Sequence, residues 1–513
     1  VRAGEPAAAP GLLPHDAHDQ QLVANVHPAD WKNPEPAGRY NLVVLGAGTA
    51  GLISAAVAAG LGAKVALVER SLMGGDCLNV GCVPSKSVIR AGRLVEEARR
   101  AHTLGVPGFA REAVDFGAAM ARMRRIRAQI SREDSAARYR DELGVDVFLG
   151  EARFTARDAV EVAGRRLRFA KAVIATGARA ALPPIPGLAE ARPRTNETIF
   201  ELVERPRRLA VVGGGPIGCE LAQAFQRLGC EVTLLEAGAR VLPREDADAA
   251  ELVQRRLAAE GVRLRLGARL ERVETRGAER TLHLRADGGA AEAVLADEIL
   301  VGVGRLPNVE GMGLEAAGVA FDPGSGVRVN DFLQTRNPRI YAAGDVCMGW
   351  KFTHAADAAA KIVVQNALFL RTQRLSRLVM PWCTYTDPEV AHVGLSEQGA
   401  AERGIGVDVY RVPLEQVNRA VTDGEEEGFV KVLVRRGGDR ILGATIVAAH
   451  AGEMLSELTL AITAGLGLGK LLAVIHPYPT QAEGIKRAAG AYLRTRATPR
   501  VRRLLAGWMA LRR

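Results

Sequence analysis

Cys77 and Cys82 stand with four residues between them in Gly74-Gly75-Asp76-Cys77-Leu78-Asn79-Val80-Gly81-Cys82-Val83-Pro84-Ser85-Lys86. Two thiols this close can cycle between disulfide and dithiol and so carry two electrons. The thiolate is the reactive form, and Lys86 and a helix N-terminus just after Cys82 would both favour it. A zinc half-site is a weaker reading, because structural zinc takes four ligands and no second matched Cys or Cys/His pair is present. Two buried small hydrophobes are the blandest reading. The glycines around the pair, with Pro84 and Lys86, shape the backbone around a second group and favour redox chemistry. Cys219, Cys230, Cys347 and Cys383 are expected to be buried packing residues.

Elements that position such a pair are legible on either side. Asn41–Leu45 is a short apolar run that reads as a buried strand, followed by the turn Gly46-Ala47-Gly48-Thr49-Ala50-Gly51 and an Ala-rich helix to about Ala59. A second strand, Lys64–Val68, ends at Glu69 beside Arg70. Strand, glycine turn, helix, strand and acid together form a dinucleotide-binding unit: the glycines let a pyrophosphate approach, the helix N-terminus stabilises its charge, and the acid accepts from a ribose. The unit recurs as Leu209–Val212, then Gly213-Gly214-Gly215-Pro216-Ile217-Gly218, a helix from about Cys219, and Glu231–Leu235 ending at Glu236. Two units imply two dinucleotides. Further strand-and-turn blocks are Lys171–Gly177 (with Thr176), Glu298–Asn308 (with Gly304), and Arg339–Asp345 (with Gly344). A helix over about Ala355–Leu370 and an α/β region from near Pro381 complete the pattern.

Composition excludes several classes. A chain of 513 residues holds about three domains. Net charge is +10, but the arginines are spread along the whole length and aromatics are 4%, so nucleic-acid binding is not expected. Six cysteines and no visible secretory segment place the chain in a reducing cytoplasm by default. No run of about 20 apolar residues exists to span a membrane. Residues 1–36, rich in Ala, Pro, His and Asp, read as an extended arm. From Val501 the tail is amphipathic, with Val501, Leu504, Leu505, Trp508 and Met509 on one face among arginines. Docking on its own protein is the favoured fate of that helix, and contact with a membrane surface is the alternative.

These blocks, in this order over about Tyr40–Leu493, resemble the pyridine nucleotide–disulfide oxidoreductases of class I, the flavoenzymes that include glutathione reductase, dihydrolipoamide dehydrogenase and mercuric reductase. The resemblance implies an α/β fold: two Rossmann-like domains for FAD and NAD(P), plus a C-terminal α+β dimerisation domain. The expected division is an arm (1–39), FAD domain (40–195), NAD(P) domain (196–308), FAD return segment (309–375), dimerisation domain (376–495) and basic tail (496–513). It implies a homodimer in which electrons pass from nicotinamide through FAD to the Cys77–Cys82 disulfide. Cys82 is similar to the thiolate beside the flavin and Cys77 to the interchange thiol that meets substrate. Lys86 and Glu220 match a charged pair near the flavin, Asp345 an acid on the ribityl chain, and Ala152 a backbone contact to adenine. Around the cysteines, Gly75, Asp76 and Gly81 join the cofactor-binding set.

The C-terminal block His476-Pro477-Tyr478-Pro479-Thr480-Gln481-Ala482-Glu483 bears on the acceptor. Aligned on Pro479, Thr480 and Glu483, the position of the family's catalytic histidine holds Tyr478, as in mercuric reductase. A disulfide reductase must protonate a leaving thiolate, which suits an imidazole. A soft metal ion needs thiolates and no such proton. Tyr478 therefore favours Hg(II) or a related acceptor, with Cys77 and Cys82 as its ligands and no structural metal. Two alternatives stay open: a dihydrolipoamide-dehydrogenase-like disulfide reductase with His476 as base, and a non-catalytic redox-sensing or metal-binding flavoprotein. No cysteine follows Cys383 and no N-terminal metal-trapping domain is visible, so Hg(II) turnover without those devices is expected to be inefficient. Asp76 replaces the family's common threonine and is expected to raise the pKa of the neighbouring thiol. Glu236 favours NADH, with NADPH as the alternative through Arg240 and Arg244.

Overall fold

The structure, a computed structural model, describes residues 12–108, 114–286 and 288–513. It divides into two compact units, one of residues 1–213, 224–235 and 269–378 and the other of 214–223, 236–268 and 379–513. In the first unit, helix α1 (Ala17–Val26) precedes strand β1 (Tyr40–Leu45), helix α2 (Thr49–Gly60) and strand β2 (Val65–Glu69). Short helix α3 (Gly75–Asn79) and helix α4 (Cys82–Arg100) follow, then α5 (Phe116–Ile130), β3 (Asp146–Leu149), β4 (Ala152–Ala156), β5 (Ala159–Val162) and β6 (Arg165–Ile174).

β3, β2, β1 and β6 pair in that order in parallel, and Ile340–Ala342 adds a further parallel strand against β6. Leu42, Val43, Val44 and Leu45 are all buried, because a central parallel strand is covered on both faces and needs a continuous apolar run. β6 is longer than its apolar half predicts: its first residues pair antiparallel with β5, where one face is wet and the sequence alternates. The second glycine unit forms as expected, with Arg208–Val212 in parallel between Glu231–Glu236 and Glu298–Val301, and a helix over Pro216–Arg227.

The second unit contains a five-stranded antiparallel sheet in the order Pro381–Thr384, Glu389–Gly394, Ile441–Ala448, Phe429–Arg435, Val407–Pro413. Helices Ala451–Thr463 and Glu483–Arg496 add Leu455, Leu458, Ile485 and Ala488 to its core. Each buried Leu or Ile side chain contributes about 2 kcal/mol by leaving water. Lys431 is buried in this unit and its ammonium meets Asp246, Asp248 and Glu397 at 2.9, 2.8 and 2.7 Å. The three carboxylates cluster around that cation.

Two expectations are corrected. The segment before β1 is not extended throughout: residues 1–11 lie outside the described residues, but 17–26 form α1, capped by Asp16, whose Oδ1 accepts from His18 and Asp19 N–H. Its Leu22 and Val26 are core residues. The amphipathic tail does form a helix, Pro499–Ala510, yet none of its side chains is buried, so it is not docked on its own unit.

α1 is held by charge as well as by apolar contact. Arg127 of α5, 3% exposed, donates to Asp19 Oδ1 at 2.7 Å and to the carbonyl of Asn79, at the end of α3, at 2.8 Å; the Asp19 side chain is 1% exposed. Burial pushes the Asp19 carboxyl up, and Arg127 opposes the shift. Breaking such a pair strands a buried charge. Arg127→Met is expected to cost about 3 kcal/mol in urea unfolding, and adding Asp19→Asn should return part of that loss. Equal stability of Arg127→Met and the parent would show that the pair holds nothing.

Candidate redox site

Cys77 lies in α3 and Cys82 opens α4. Gly74 and Gly75 have φ of +91° and +56°, which an L side chain rarely adopts. A Cβ on Gly75 would stand 2.6 Å from the Gly48 Cα, so the loop that enters α3 touches the glycine turn of the first unit backbone to backbone. Gly74 N–H donates to the Ala47 carbonyl at 2.8 Å. Asn79 Nδ2 closes the short helix on the carbonyls of Met73 and Gly75, and Asn196 Nδ2 reaches the Val80 carbonyl. At Gly81 a Cβ would lie 2.7 Å from the Asp76 carbonyl oxygen.

The two thiols hydrogen-bond each other. That bond, followed by burial and the charge of Cys82, pushes the Cys77 thiol above the ordinary range. Cys82 is exposed, and its Sγ lies 3.3 Å from Thr353 Oγ1 at the start of helix Thr353–Leu368. Cys82, Lys86, Arg90, Arg122 and Ile126 line an open cavity of about 400 Å³.

Asp76 does not play the part expected of it. Its carboxylate forms an ion pair with Arg305, which also donates to the Ala178 carbonyl at 2.6 Å and approaches Asp345 Oδ2 at 3.4 Å. The acidic charge that bears on Cys77 is Asp134. Burial, then the neighbouring Glu133, pushes the Asp134 carboxyl up to about 6. Burial also raises the Asp345 carboxyl, and Arg305 and then Lys351 pull it back.

The first glycine unit fits a dinucleotide such as FAD. A Cβ on Gly46 would sit 2.4 Å from the Ala175 carbonyl oxygen, and one on Gly51 would overlap the Gly46 carbonyl oxygen. Gly48 caps α2 without a side chain, so the N–H groups of Thr49, Ala50 and Gly51 are left for an anion. Glu69 is buried, and its two oxygens accept from Ala47 N–H at 2.6 Å and Ser71 N–H at 2.8 Å. Arg70 is exposed. Thr176 and Asn308 exchange hydrogen bonds, and Asn308 N–H donates to the Gly177 carbonyl, which locks that turn to Asn308; Gly304 carries a φ of +148°. Ala152 begins β4, and Gly344 precedes Asp345 with a φ of +81°.

The second unit repeats the device. Glu236 accepts from Gly214 N–H and Gly238 N–H, both at 2.7 Å. Gly213 has a φ of +108°, Gly215 has open space where a Cβ would stand, and Pro216, Ile217 and Gly218 form the first turn of the following helix. Arg240 donates to the carbonyls of Pro243 and Glu245, while Arg244 is exposed. Glu220 accepts from Tyr385 N–H at 2.9 Å.

In the C-terminal block, Tyr478 is 70% exposed and its hydroxyl accepts from Asn418 Nδ2 at 2.9 Å. His476 instead turns inward, with Nε2 on Glu457 at 3.0 Å. Glu483 pairs with Arg487 at 2.9 Å. Ile475 is 89% exposed and Leu460 66%, an uncovered apolar surface on this unit. Cys219 and Cys230 are buried as expected, whereas Cys347 and Cys383 are only partly so, each with its thiol directed at a backbone carbonyl. Asp134, Arg305 and Thr353 were missed in the sequence; only Arg305, inside the Gly-Arg-x-Pro-Asn turn, carried a signal.

The pyridine nucleotide-disulphide oxidoreductase family is matched over residues 40–360, and its dimerisation domain over residues 380–489. A mercuric reductase of Lysinibacillus sphaericus is 37% identical over 450 residues, 88% of this chain and 82% of that protein. A dihydrolipoyl dehydrogenase of Thermus scotoductus is 35% identical over 457 residues, 88% of this chain and 97% of that protein. Among solved structures, the Cu(II) complex of the HOCl-induced flavoprotein disulfide reductase RclA from Escherichia coli superposes with a TM-score of 0.79 at 28% identity, covering 89% of this chain and 100% of that one.

Neutralising Asp134 has two expected results. Asp134→Asn should speed iodoacetamide alkylation of Cys77 in the reduced protein severalfold, read by peptide mass spectrometry. The folded carboxyl titrates near 6, above its ordinary 3.8, so its ionisation opposes folding fully above that pH and not below about 4. The variant should therefore gain about 3 kcal/mol at pH 7 and almost nothing at pH 4. Unchanged alkylation would remove Asp134 from the thiol's environment.

Proposed function

Because the chain belongs to the pyridine nucleotide-disulphide oxidoreductases, FAD-dependent enzymes that draw electrons from NAD(P)H, we propose that its Cys77–Cys82 pair delivers those electrons to Hg(II) or a related soft metal ion, with NADH as the preferred donor. The observation that carries this reading is the C-terminal loop: a tyrosine is presented to solvent at position 478, and the histidine of the same loop is spent on Glu457. In the reaction NADH + Hg(II) → NAD⁺ + H⁺ + Hg(0), no proton goes to the acceptor. Reduction of a disulfide delivers two protons to the departing thiolates and calls for a nearby acid. Thiolates are good ligands for a soft ion, and the relatives named as mercuric reductases support the choice.

Gly46, Gly48, Gly51, Glu69 and Asp345 would hold FAD, which when bound supplies two-electron transfer from nicotinamide to the disulfide. Arg305 cancels the charge of Asp76 beside the cysteines. Lys86 supplies positive charge on the helix that Cys82 opens. A soft metal ion displaces the thiol protons and is held between the pair. In the homodimer, Tyr478 and Glu483 of one copy complete the thiol site of the other. NADH is favoured because Glu236 is pinned where a 2′-phosphate would stand, while Arg240 is committed to carbonyls.

A second reading has its own support. The half-buried His476–Glu457 pair has the form of a base oriented by a carboxylate, and a dihydrolipoyl dehydrogenase is nearly as similar as the mercuric reductase. Steady-state oxidation of NADH and NADPH with thiol-buffered Hg(II), beside lipoamide and glutathione disulfide, separates the two. The expected outcome is Hg(II)-dependent turnover with loss of mercury vapour, abolished by Cys82→Ala. Turnover with a disulfide alone, lost in His476→Ala, would transfer the assignment to thiol–disulfide reduction. Glu236→Ser should narrow the preference for NADH over NADPH by about tenfold in kcat/KM.

A further inference from the structure

Redox chemistry makes no use of the helix Pro499–Ala510, which lies beyond the matched dimerisation domain at residues 380–489. It is built to stand by itself. Thr498 caps it, with Oγ1 accepting from Val501 N–H, and Pro499 takes the first turn, where its missing N–H costs nothing. All of its side chains are exposed, including Leu504 at 74%, Met509 at 60% and Trp508 at 53%.

The arrangement of those side chains is not random. At about 100° per residue, Val501, Leu504, Leu505, Trp508 and Met509 fall within an arc of about 140°. Arg500 and Arg502 stand at its two borders and Arg503 faces away from it. After Glu483 the chain holds nine Lys and Arg residues and no Asp or Glu. Arg512 lies over the Trp508 ring, 4.8 Å from its centroid.

We propose that this helix docks the protein on the surface of an anionic lipid bilayer, lying in the plane of the interface. The apolar arc enters the acyl boundary, the arginine stems at its borders extend to the headgroups, and the indole sits at the headgroup level. Twelve residues are too few to span, and among the described residues no helix is long and apolar enough to cross a membrane. Charge chooses this partner over a second copy of the helix. Two copies would bring arginines against arginines with no carboxylate to relieve them, whereas an anionic surface complements every one of them.

The test is flotation of the full-length, FAD-loaded protein with vesicles of phosphatidylcholine alone and of phosphatidylcholine with phosphatidylglycerol. Binding to the anionic vesicles, reversed by high salt, is expected, with a blue shift of tryptophan emission that Trp508→Phe removes. Replacing Arg500, Arg502 and Arg503 with Gln should weaken binding by about a hundredfold, and Leu504→Gln should also weaken it. NADH oxidation in solution should be unchanged in these variants. No binding to either vesicle, or equal binding to both, would overturn the proposal. So would a fall in molar mass by light scattering in Leu504→Gln, which would assign the stripe to contact between copies.

Discussion

The contact of Gly48 with Gly75 is the constraint on which the redox end of this fold depends. A Cβ at position 75 would lie 2.6 Å from the Gly48 Cα, so the loop carrying the cysteines meets the glycine turn only because neither residue has a side chain. The Gly74-to-Ala47 hydrogen bond fixes the same junction. Through it, the turn that fits a pyrophosphate and the helix that begins at Gly75 become one piece of backbone. The buried parallel strand β1 positions one side of the junction, and the short helix α3 inherits its placement.

Charge is placed around this frame by a few repeated devices. Glu69 and Glu236 use one device twice: a carboxylate at a strand end accepts from the glycine turn of its own unit and from the chain just beyond itself. Each acid is thus oriented by its own backbone. Arg305 serves Asp76 and Asp345 together, while burial leaves Asp134 to ionise late. The second unit solves a harder problem with Lys431, whose three carboxylate partners compensate the burial of an ammonium.

Both glycine units, their terminal acids and the cysteine block were legible because each is contiguous and its chemistry is set by spacing. The residues that tune the thiols were not, because they arrive from far along the chain: Arg305 is 229 positions from Asp76, and Thr353 is 271 from Cys82. Composition misled at the N-terminus, where Ala, Pro, His and Asp suggested an extended arm. The Asp16 cap and the buried Leu22 and Val26 form a helix whose partner, Arg127, lies 108 positions on from Asp19. At the other end the amphipathic pattern correctly marked a helix. Docking was misjudged because a pattern shows that a face is apolar and says nothing of whether the body offers a groove to receive it.

The Arg127 guanidinium has a consequence for electron transfer itself. It holds the carbonyl of Asn79 and a buried carboxylate at once, so the end of α3 is anchored from below while Gly75 anchors its start. Between the two anchors stands Cys77, while Cys82 opens the next helix three residues past Asn79. The nuclear rearrangement that accompanies gain or loss of an electron pair is then confined to a few atoms. A thiol on a segment held at both ends changes its redox state with little movement of the backbone that carries it.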